Sequence, residues 1–432
     1  MGKNEESGTV KRVLLLATTT GYQTRSFGEA ASKLNVELVF GLDRCRGLDD
    51  PWGDHSLAVR FYDDPRSVEA IVSAAHDGPI SGVLALGDPP TVLAALAAEQ
   101  LLLPFHPPAA TRTSRNKLDT RLALRAAGMP VPSFVPADID DDERVLAMQV
   151  AYPCVVKPLA LSGSRGVIRA DDPPSFCTAF ARVRHILQAP DVRTMKDPAL
   201  RQVLVESYIP GVEFAVEGLM HRGAFDALAL FDKPDPLDGP FFEETIYVTP
   251  SVHDPAIQQG IVAAISAAAS AIGLWHGPVH AECRVNQFGV FVLEVAARPI
   301  GGLCARALRF GRSGDDVISF EELLLRHALG EDVRVYRREA SASGVMMLPI
   351  PRAGVYRGVD GVGEARGVAH VDQIIMTAKP DQHLVPLPDG ASYLGFIFAR
   401  AESSSEVVAS LREAHSTLRF DIDRELPLAL ES

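Results

Sequence analysis

Lysine is scarce in this chain. Of 42 basic residues only eight are lysines and 34 are arginines, against 55 acidic residues and a formal charge of −13 over 432 residues. Such a surface does not attract nucleic-acid phosphates or anionic lipid, so general polyanion binding is excluded, and no nucleic-acid or membrane partner is expected. A local basic pocket for one small polyanion stays open. Cysteine is also sparse. Cys45, Cys154, Cys177, Cys283 and Cys304 include no CxxC pair and no close set of histidine partners, which leaves a structural zinc site without support and favours reduced thiols. The opening MGKNEESGTVKR is polar and the following VLLLA is too short for a leader or a membrane span, so a cytoplasmic protein is expected. The loop ATTTGYQTRS has one glycine where a dinucleotide fingerprint needs three, which argues against that cofactor class.

What is present is ample apolar material, 47% of residues, enough for two or three domains. VLLLATTTG (13–21), VELVFGL (36–42) and the apolar run 82–86 read as buried parallel strands. Helical stretches fall at 26–34, 67–75 and 91–100, so a doubly wound sheet is expected over about 10–108. Ser114 is placed to cap a helix through 128, whose apolar face would carry Leu118, Leu122 and Leu124. A second unit opens with the strand YPCVVKPL, continues through the loop ALSGSRGV, a returning strand at 167–169 and a helix at 175–187, and goes on to the strand RQVLVESYI. VEFAVEGLM and FDALALFD then read as antiparallel strands, and KPDPLDGPFFEETIYVTPSVHDP as an irregular binding loop. A helix at 256–273 precedes a hairpin, PVHAECRV and VFVLEVAAR, joined by NQFG. Short glycine-rich strands, a helix at 405–417 and a final strand LRFDI close the chain.

The hairpin carries the strongest chemical signal. Alternation puts His280, Glu282 and Arg284 on one face of its first strand, and aligns Glu294, Ala296 and Arg298 in the second. Charges inside apolar strands are costly unless paired or metal-bound. Glu282 and Glu294 offer the hard oxygens that Mg²⁺ takes, and Arg298 a cation for a transferring phosphoryl group. Two of the few lysines stand at element ends, Lys117 at a helix start and Lys157 at a strand end. Beyond Lys157, Ser162, Gly163, Ser164 and Gly166 can turn backbone N–H groups toward phosphate, although the order is not that of a P-loop.

In register, these pieces resemble the ATP-grasp superfamily of carboxylate–amine ligases over about 114–310, and EVAARPIGG resembles its L-amino-acid ligase branch most closely. The resemblance implies an α/β ATP-grasp fold: an N-terminal parallel-sheet domain (1–112), a helix and linker (113–150), a mobile lid (151–204), a mixed or antiparallel catalytic sheet (205–335) and a C-terminal cap (336–432). It assigns Lys117, Lys157 and the glycine loop to the ATP phosphates, Glu206, Ser207, Tyr208 and Ile209 to the base, Glu213 to the ribose, and Glu282 and Glu294 to Mg²⁺, with Mn²⁺ as substitute. Arg298, Gly301 and Gly302 would meet the acyl carboxylate. His280 would take a proton from the incoming ammonium or hydrogen-bond the substrate. Trp275 and His276 are candidates for a pocket wall, as are Glu243 and Glu244 for an amino group. Eight other histidines, at 55, 76, 185, 221, 327, 370, 383 and 415, lack ligand spacing and are assigned no role. Ala296 replaces the asparagine that many members carry as a further metal ligand. The implied reaction joins two amino acids at the expense of ATP, in an enzyme whose relatives often form homodimers. Alternatives are a ligase with a non-proteinogenic acyl substrate, a biotin carboxylase-like enzyme, against which EVAAR departs from ExNxR, and an ATP-binding protein without turnover.

Overall fold

The computed structural model describes residues 10–18, 23–43, 56–312 and 317–424; part of the loop after the first strand, and Cys45, lie outside them. The chain opens with β1 (Lys11–Ala17), α1 (Thr24–Leu34), β2 (Val36–Leu42), β3 (Ser56–Ala58), α2 (Asp64–Asp77), β4 (Gly82–Leu86) and α3 (Pro90–Gln100). The strands form a parallel sheet in the order β3-β2-β1-β4. The unbroken apolar run of β1 has a physical cause, since both faces are covered. Leu14 and Leu16 pack with Ile71 of α2 and Leu93 of α3, while Val13 and Leu15 pack with Phe27 and Ala30 of α1.

The next segment departs from the sequence reading. Ser114 lies in the last turn of α4 (Pro108–Arg115), and Asn116 caps α5 (Lys117–Ala126) by accepting from the N–H groups of Leu118 and Asp119. Asn116 is extended, so two short helices meet at a bend. The Ser114 hydroxyl instead donates to Val295 O and accepts from Ala297 N. Leu122 is 41% exposed, and α5 turns Thr120, Arg121 and Leu124 inward. An apolar-face count could not anticipate a buried arginine.

A small antiparallel sheet, ordered β5-β8-β6-β7, follows from β5 (Phe134–Asp138), α6 (Glu143–Ala147), β6 (Cys154–Pro158), β7 (Ile168–Ala170), α7 (Pro173–Leu187), α8 (Pro190–Arg193) and β8 (Gln202–Ser207). Phe176, Phe180 and Val183 of α7 pack on its Val156 and Val203.

The large sheet begins with β9 (Val212–His221), β10 (Ala224–Asp232), β11 (Ile246–Thr249), α9 (Pro255–Ile272), β12 (Gly277–Asn286) and β13 (Gly289–Ala296). β14 (Arg309–Gly311), β15 (Ile318–Ser319), α10 (Phe320–Ala328) and β16 (Arg337–Arg338) come next. The described chain ends with β17 (Ala342–Leu348), β18 (Gly354–Asp360), α11 (Val362–Gly367), β19 (Val371–Met376), β20 (His383–Leu384), β21 (Gly395–Ala401), α12 (Ser404–Thr417) and β22 (Arg419–Asp423). The eight-stranded order β13-β12-β9-β10-β11-β17-β21-β19 is antiparallel throughout. β11 lies inside the segment read as irregular. Its four residues are all buried, too short a run to show a period, yet it joins β10 to β17 and so makes the C-terminal strands part of the catalytic sheet. α9 is long and apolar enough by length and composition to cross a membrane, and here its Ile261, Ile265 and Ala268 pack on Phe214, Val216 and Ala281 of the sheet.

His106, between α3 and α4, is 1% exposed and shows how tightly these units are joined. Its Nε2 donates to Pro278 O at 3.0 Å and its Nδ1 accepts from Trp275 N at 3.1 Å, a pattern only the neutral ring can satisfy. Burial pulls the imidazole from 6.5 to about 4. Between those values the unfolded chain binds a proton that the folded chain excludes, so stability falls as pH drops through the window, by roughly 3 kcal/mol at most. We expect His106→Gln to reduce the difference in urea midpoint between pH 7 and pH 4.5; an unchanged difference would refute this assignment.

Candidate active site

A cavity of about 640 Å³ opens where the three sheets meet, within the size range of small-molecule sites. Its basic end is built by short elements. Lys117 is the first residue of α5, and its Nζ donates to Leu161 O at 2.7 Å and lies 3.8 Å from Glu294 Oε2. Lys157 reaches the same space from β6. Burial lowers its ammonium to about 8, against the pull of the Glu206 charge that holds it up. Ser162, Gly163 and Ser164 form part of the wall, whereas Gly166 does not. The Gly166 N–H donates to Pro388 O at 2.9 Å and the Arg165 Nε to Asp389 O at 2.7 Å, so the C-terminal loop holds the glycine loop in place. At Gly166, with φ +73°, a Cβ would come within 2.9 Å of Pro158, which requires glycine.

Toward the apolar end, Ser207, Tyr208, Ile209 and Glu213 line the wall, and Tyr208 stacks on Phe242. Glu206 lines it too, but its carboxylate is committed. Arg121, 0% exposed, donates to Glu206 through Nε at 2.6 Å, and Lys157 pairs with the other oxygen. Those charges outweigh burial and hold Glu206 down at about 2. Arg121 also donates to Val292 O and Leu293 O of β13. Glu213 accepts from Arg284 Nε at 2.8 Å and from Lys233 Nζ at 2.8 Å.

The hairpin places Glu282 directly opposite Glu294, with an irregularity in register just beyond Glu282. Ala281 and Cys283 face the core, and His280, Glu282 and Arg284 face the cavity, as the alternation requires. Glu282 has closer carboxylate company than Glu294. Glu213, Glu244 and Glu282 bring oxygens within 4.8 Å of one another around the Lys233 ammonium, which lies 3.1 Å from Glu282 Oε1. Burial and the Glu282 charge lift Glu244 to about 7. This hard-oxygen set fits a divalent cation.

At the far end Arg298 is anchored rather than free. Its Nε and Nη2 donate to Asp88 at 2.8 and 2.9 Å, and Nη1 donates to Pro299 O. Burial alone would raise Asp88, but the guanidinium holds it at about 2. Gly301 and Gly302 line the wall beside it, and a Cβ on Gly302, at φ +61°, would press on Phe396 at 3.1 Å. Below them Glu217, 0% exposed, pairs with His280 Nδ1 and accepts from Ile300 N. Burial would lower His280, yet the Glu217 charge prevails and lifts the ring to about 10. His280 thus already carries its proton, which favours hydrogen bonding to substrate over proton acceptance. Trp275, His276 and Glu243 are not part of the wall, contrary to expectation; Glu244 is. Sequence reasoning also missed Asp88, Arg121, Glu217 and Lys233. For Lys233 a signal existed, because any lysine in so lysine-poor a chain is a candidate.

Removing one partner of a buried ion pair leaves an uncompensated charge and costs roughly 3–5 kcal/mol. Arg121→Met is expected to fall in that range and Glu206→Gln similarly, with the double variant losing less than the sum of the two. Denaturant unfolding of all four proteins measures the coupling; additive losses would mean that the pair does not act as a unit.

Comparison with known proteins gives this geometry a family. Residues 150–307 match the ATP-grasp domain model and residues 346–423 match L-amino acid ligase C-terminal domain 2. An L-amino acid ligase from Bacillus licheniformis superposes with a TM-score of 0.77 at 25% identity, over 96% of this chain and 99% of that one. An uncharacterized protein from Sinorhizobium fredii is 22% identical over 96% of this chain and 84% of its own length. Alanine–anticapsin ligase from Bacillus subtilis is 25% identical over 64% of this chain and 62% of its own length. The chain belongs to the ATP-grasp superfamily, closely related to its L-amino-acid ligase branch, and is an ATP-dependent carboxylate–amine ligase that forms a C–N bond between two small substrates.

Proposed function

We propose that the two substrates are amino acids and the product a dipeptide. The observation that carries this reading is the division of one cavity into three parts: a basic end at Lys117 and Lys157, a carboxylate cluster at Glu282, and a compact corner at Arg298, Gly301 and Gly302 lined further by Leu86 and Met347. That corner suits a small carboxylate-bearing substrate. The family resemblance assigns Ser207, Tyr208 and Ile209 to the adenine and Glu213 to the ribose, and all four are in the wall at the apolar end.

A carboxylate is a poor electrophile because hydroxide is a poor leaving group, so activation comes first. The carboxylate oxygen of one amino acid attacks the γ-phosphorus, the bond to the bridging oxygen breaks, and ADP leaves with that electron pair. The amine nitrogen of the second amino acid then attacks the carbonyl carbon, phosphate departs, and the nitrogen loses a proton. Lys117, Lys157 and the N–H groups at Ser162–Ser164 hold the phosphates, while Arg298, fixed by Asp88, steadies the acyl phosphate. Glu282 and Glu294, with Glu244 in place of the oxygen that Ala296 lacks, would hold Mg²⁺. The ion would offset phosphate charge during transfer. The glycine loop, held by its contacts with Pro388 and Asp389, would keep water from an intermediate that hydrolyses readily. A cytoplasmic enzyme, with a homodimer as its assembly, completes the reading. The likeness to alanine–anticapsin ligase favours one further reading, in which one substrate is a non-proteinogenic amino acid.

Phosphate release is expected only when two amino acids are present together, with the dipeptide mass among the products across a screen of all proteinogenic pairs. Release with one proteinogenic and one non-proteinogenic amino acid would select the further reading, and release driven by bicarbonate with biotin would overturn both. A second outcome concerns pH. The Lys157 ammonium loses its charge as pH rises through about 8, so kcat/KM for ATP should decline above that value, up to roughly tenfold per unit. Lys157→Arg should move the decline upward, and a flat profile to pH 9.5 would refute the phosphate role.

A further inference from the structure

Away from the cavity, the β9–β12 pair runs from Glu213 opposite Arg284 to Met220 opposite Gly277. Just past that second end, His221 closes β9, His276 precedes β12, and His327 comes in from α10. One nitrogen from each ring lies within 4.8 Å of the other two. The His276 and His327 rings stack at 4.1 Å between centroids, and His221 lies 5.6 and 5.8 Å from them. His276 is 4% exposed and His327 1%. Both ring nitrogens of His276, Nε2 of His327 and Nδ1 of His221 are buried without a hydrogen-bond partner. Buried polar atoms are nearly always paired, so unpaired nitrogens on three adjoining rings, one from each ring near a common point, call for a cause. Ordinary core packing supplies none, since it would leave each orphan its desolvation penalty.

We propose that His221, His276 and His327 form a metal site, separate from the ATP cavity, for a borderline divalent ion such as Zn²⁺. Three imidazoles with a water in the remaining position are an established donor set for this ion, and nitrogen rather than carboxylate donors discriminate against Mg²⁺. Bond lengths of about 2 Å in a tetrahedron place the nitrogens about 3.3 Å apart, so the rings must close by about 1.5 Å at most, and the stacked His276 and His327 rings, 16° from parallel, must change rotamer to aim their in-plane lone pairs at one ion. Burial, reinforced by the neighbouring rings, keeps His276 and His327 neutral, and the neutral ring is the form that ligates. His106 braces the backbone on both sides of His276 through Trp275 N and Pro278 O. Because Ala328 of α10 packs so closely on β4 that a Cβ on Gly82 would meet its carbonyl at 2.6 Å, an ion here would tie the catalytic sheet to the N-terminal sheet.

The test uses the full chain, freed of any histidine tag and stripped by chelator, titrated with Zn²⁺ and separately with Co²⁺. One equivalent of Zn²⁺ should bind and raise Tm, and Co²⁺ should give the strong visible bands of a four-coordinate nitrogen site. Both signals should persist when Glu282→Gln and Glu294→Gln are combined, and should weaken at least tenfold in His276→Gln. His221→Gln, at the more exposed rim, serves if the buried variant does not fold. No uptake at micromolar Zn²⁺, or uptake unchanged in His221→Gln, would overturn the site, and uptake lost only with the glutamates would assign the ion to the ATP cavity instead.

Discussion

A guanidinium with no access to water must have its charge and its donors met by protein, and Arg121 is in that position. Its partners are Glu206 at the end of β8 and two carbonyls of β13, and Glu206 in turn holds Lys157 at the end of β6. One chain of charges therefore joins the short helix that begins with Lys117, the small sheet and the hairpin. Neither lysine could be aimed reliably by its own flexible stem. What aims them is that each begins or ends an element fixed by this buried pair, so a stability requirement and a binding geometry have become one constraint.

The cavity repeats that logic around a different cation. Lys233 gathers Glu213, Glu244 and Glu282, and Arg298 is held by Asp88. Carboxylates so close to one another would repel strongly in a dry site, and the lysine offsets that repulsion in the protein as it stands. Its charges are already oriented and largely out of water, which is the preorganisation that the proposed reading requires for phosphates and a divalent ion. An acidic chain of net charge −13 can thus gather lysine and arginine side chains along one cavity.

Much of this was legible in the residues. The period-two alternation in β12 separated His280, Glu282 and Arg284 from Ala281 and Cys283, because a pleated strand has only two faces. Lysine scarcity singled out Lys117 and Lys157. Illegible were the partners brought in by loops and distant elements: Asp88 from the turn after β4, Lys233 and Glu244 from a proline-rich segment, and Arg121 from a helix whose leucines suggested a different inner face. A loop has no period to read, and a charged residue looks solvated until its partner is known. The Ser114 expectation failed for a related reason, since capping depends on where the backbone bends, and Asn116 bends it.

Local periodicity and short motifs in the residues were enough for the parallel N-terminal sheet, the ATP-grasp resemblance and the hairpin with its paired glutamates, but not for β11 or the break between α4 and α5. Only the tertiary structure decided which charges neutralise which, that β11 fuses the C-terminal strands into the catalytic sheet, and that three histidines at positions 221, 276 and 327 share one buried spot. Such pairings depend on distances through space between residues far apart in the chain. Spacing along the chain carries no information about them.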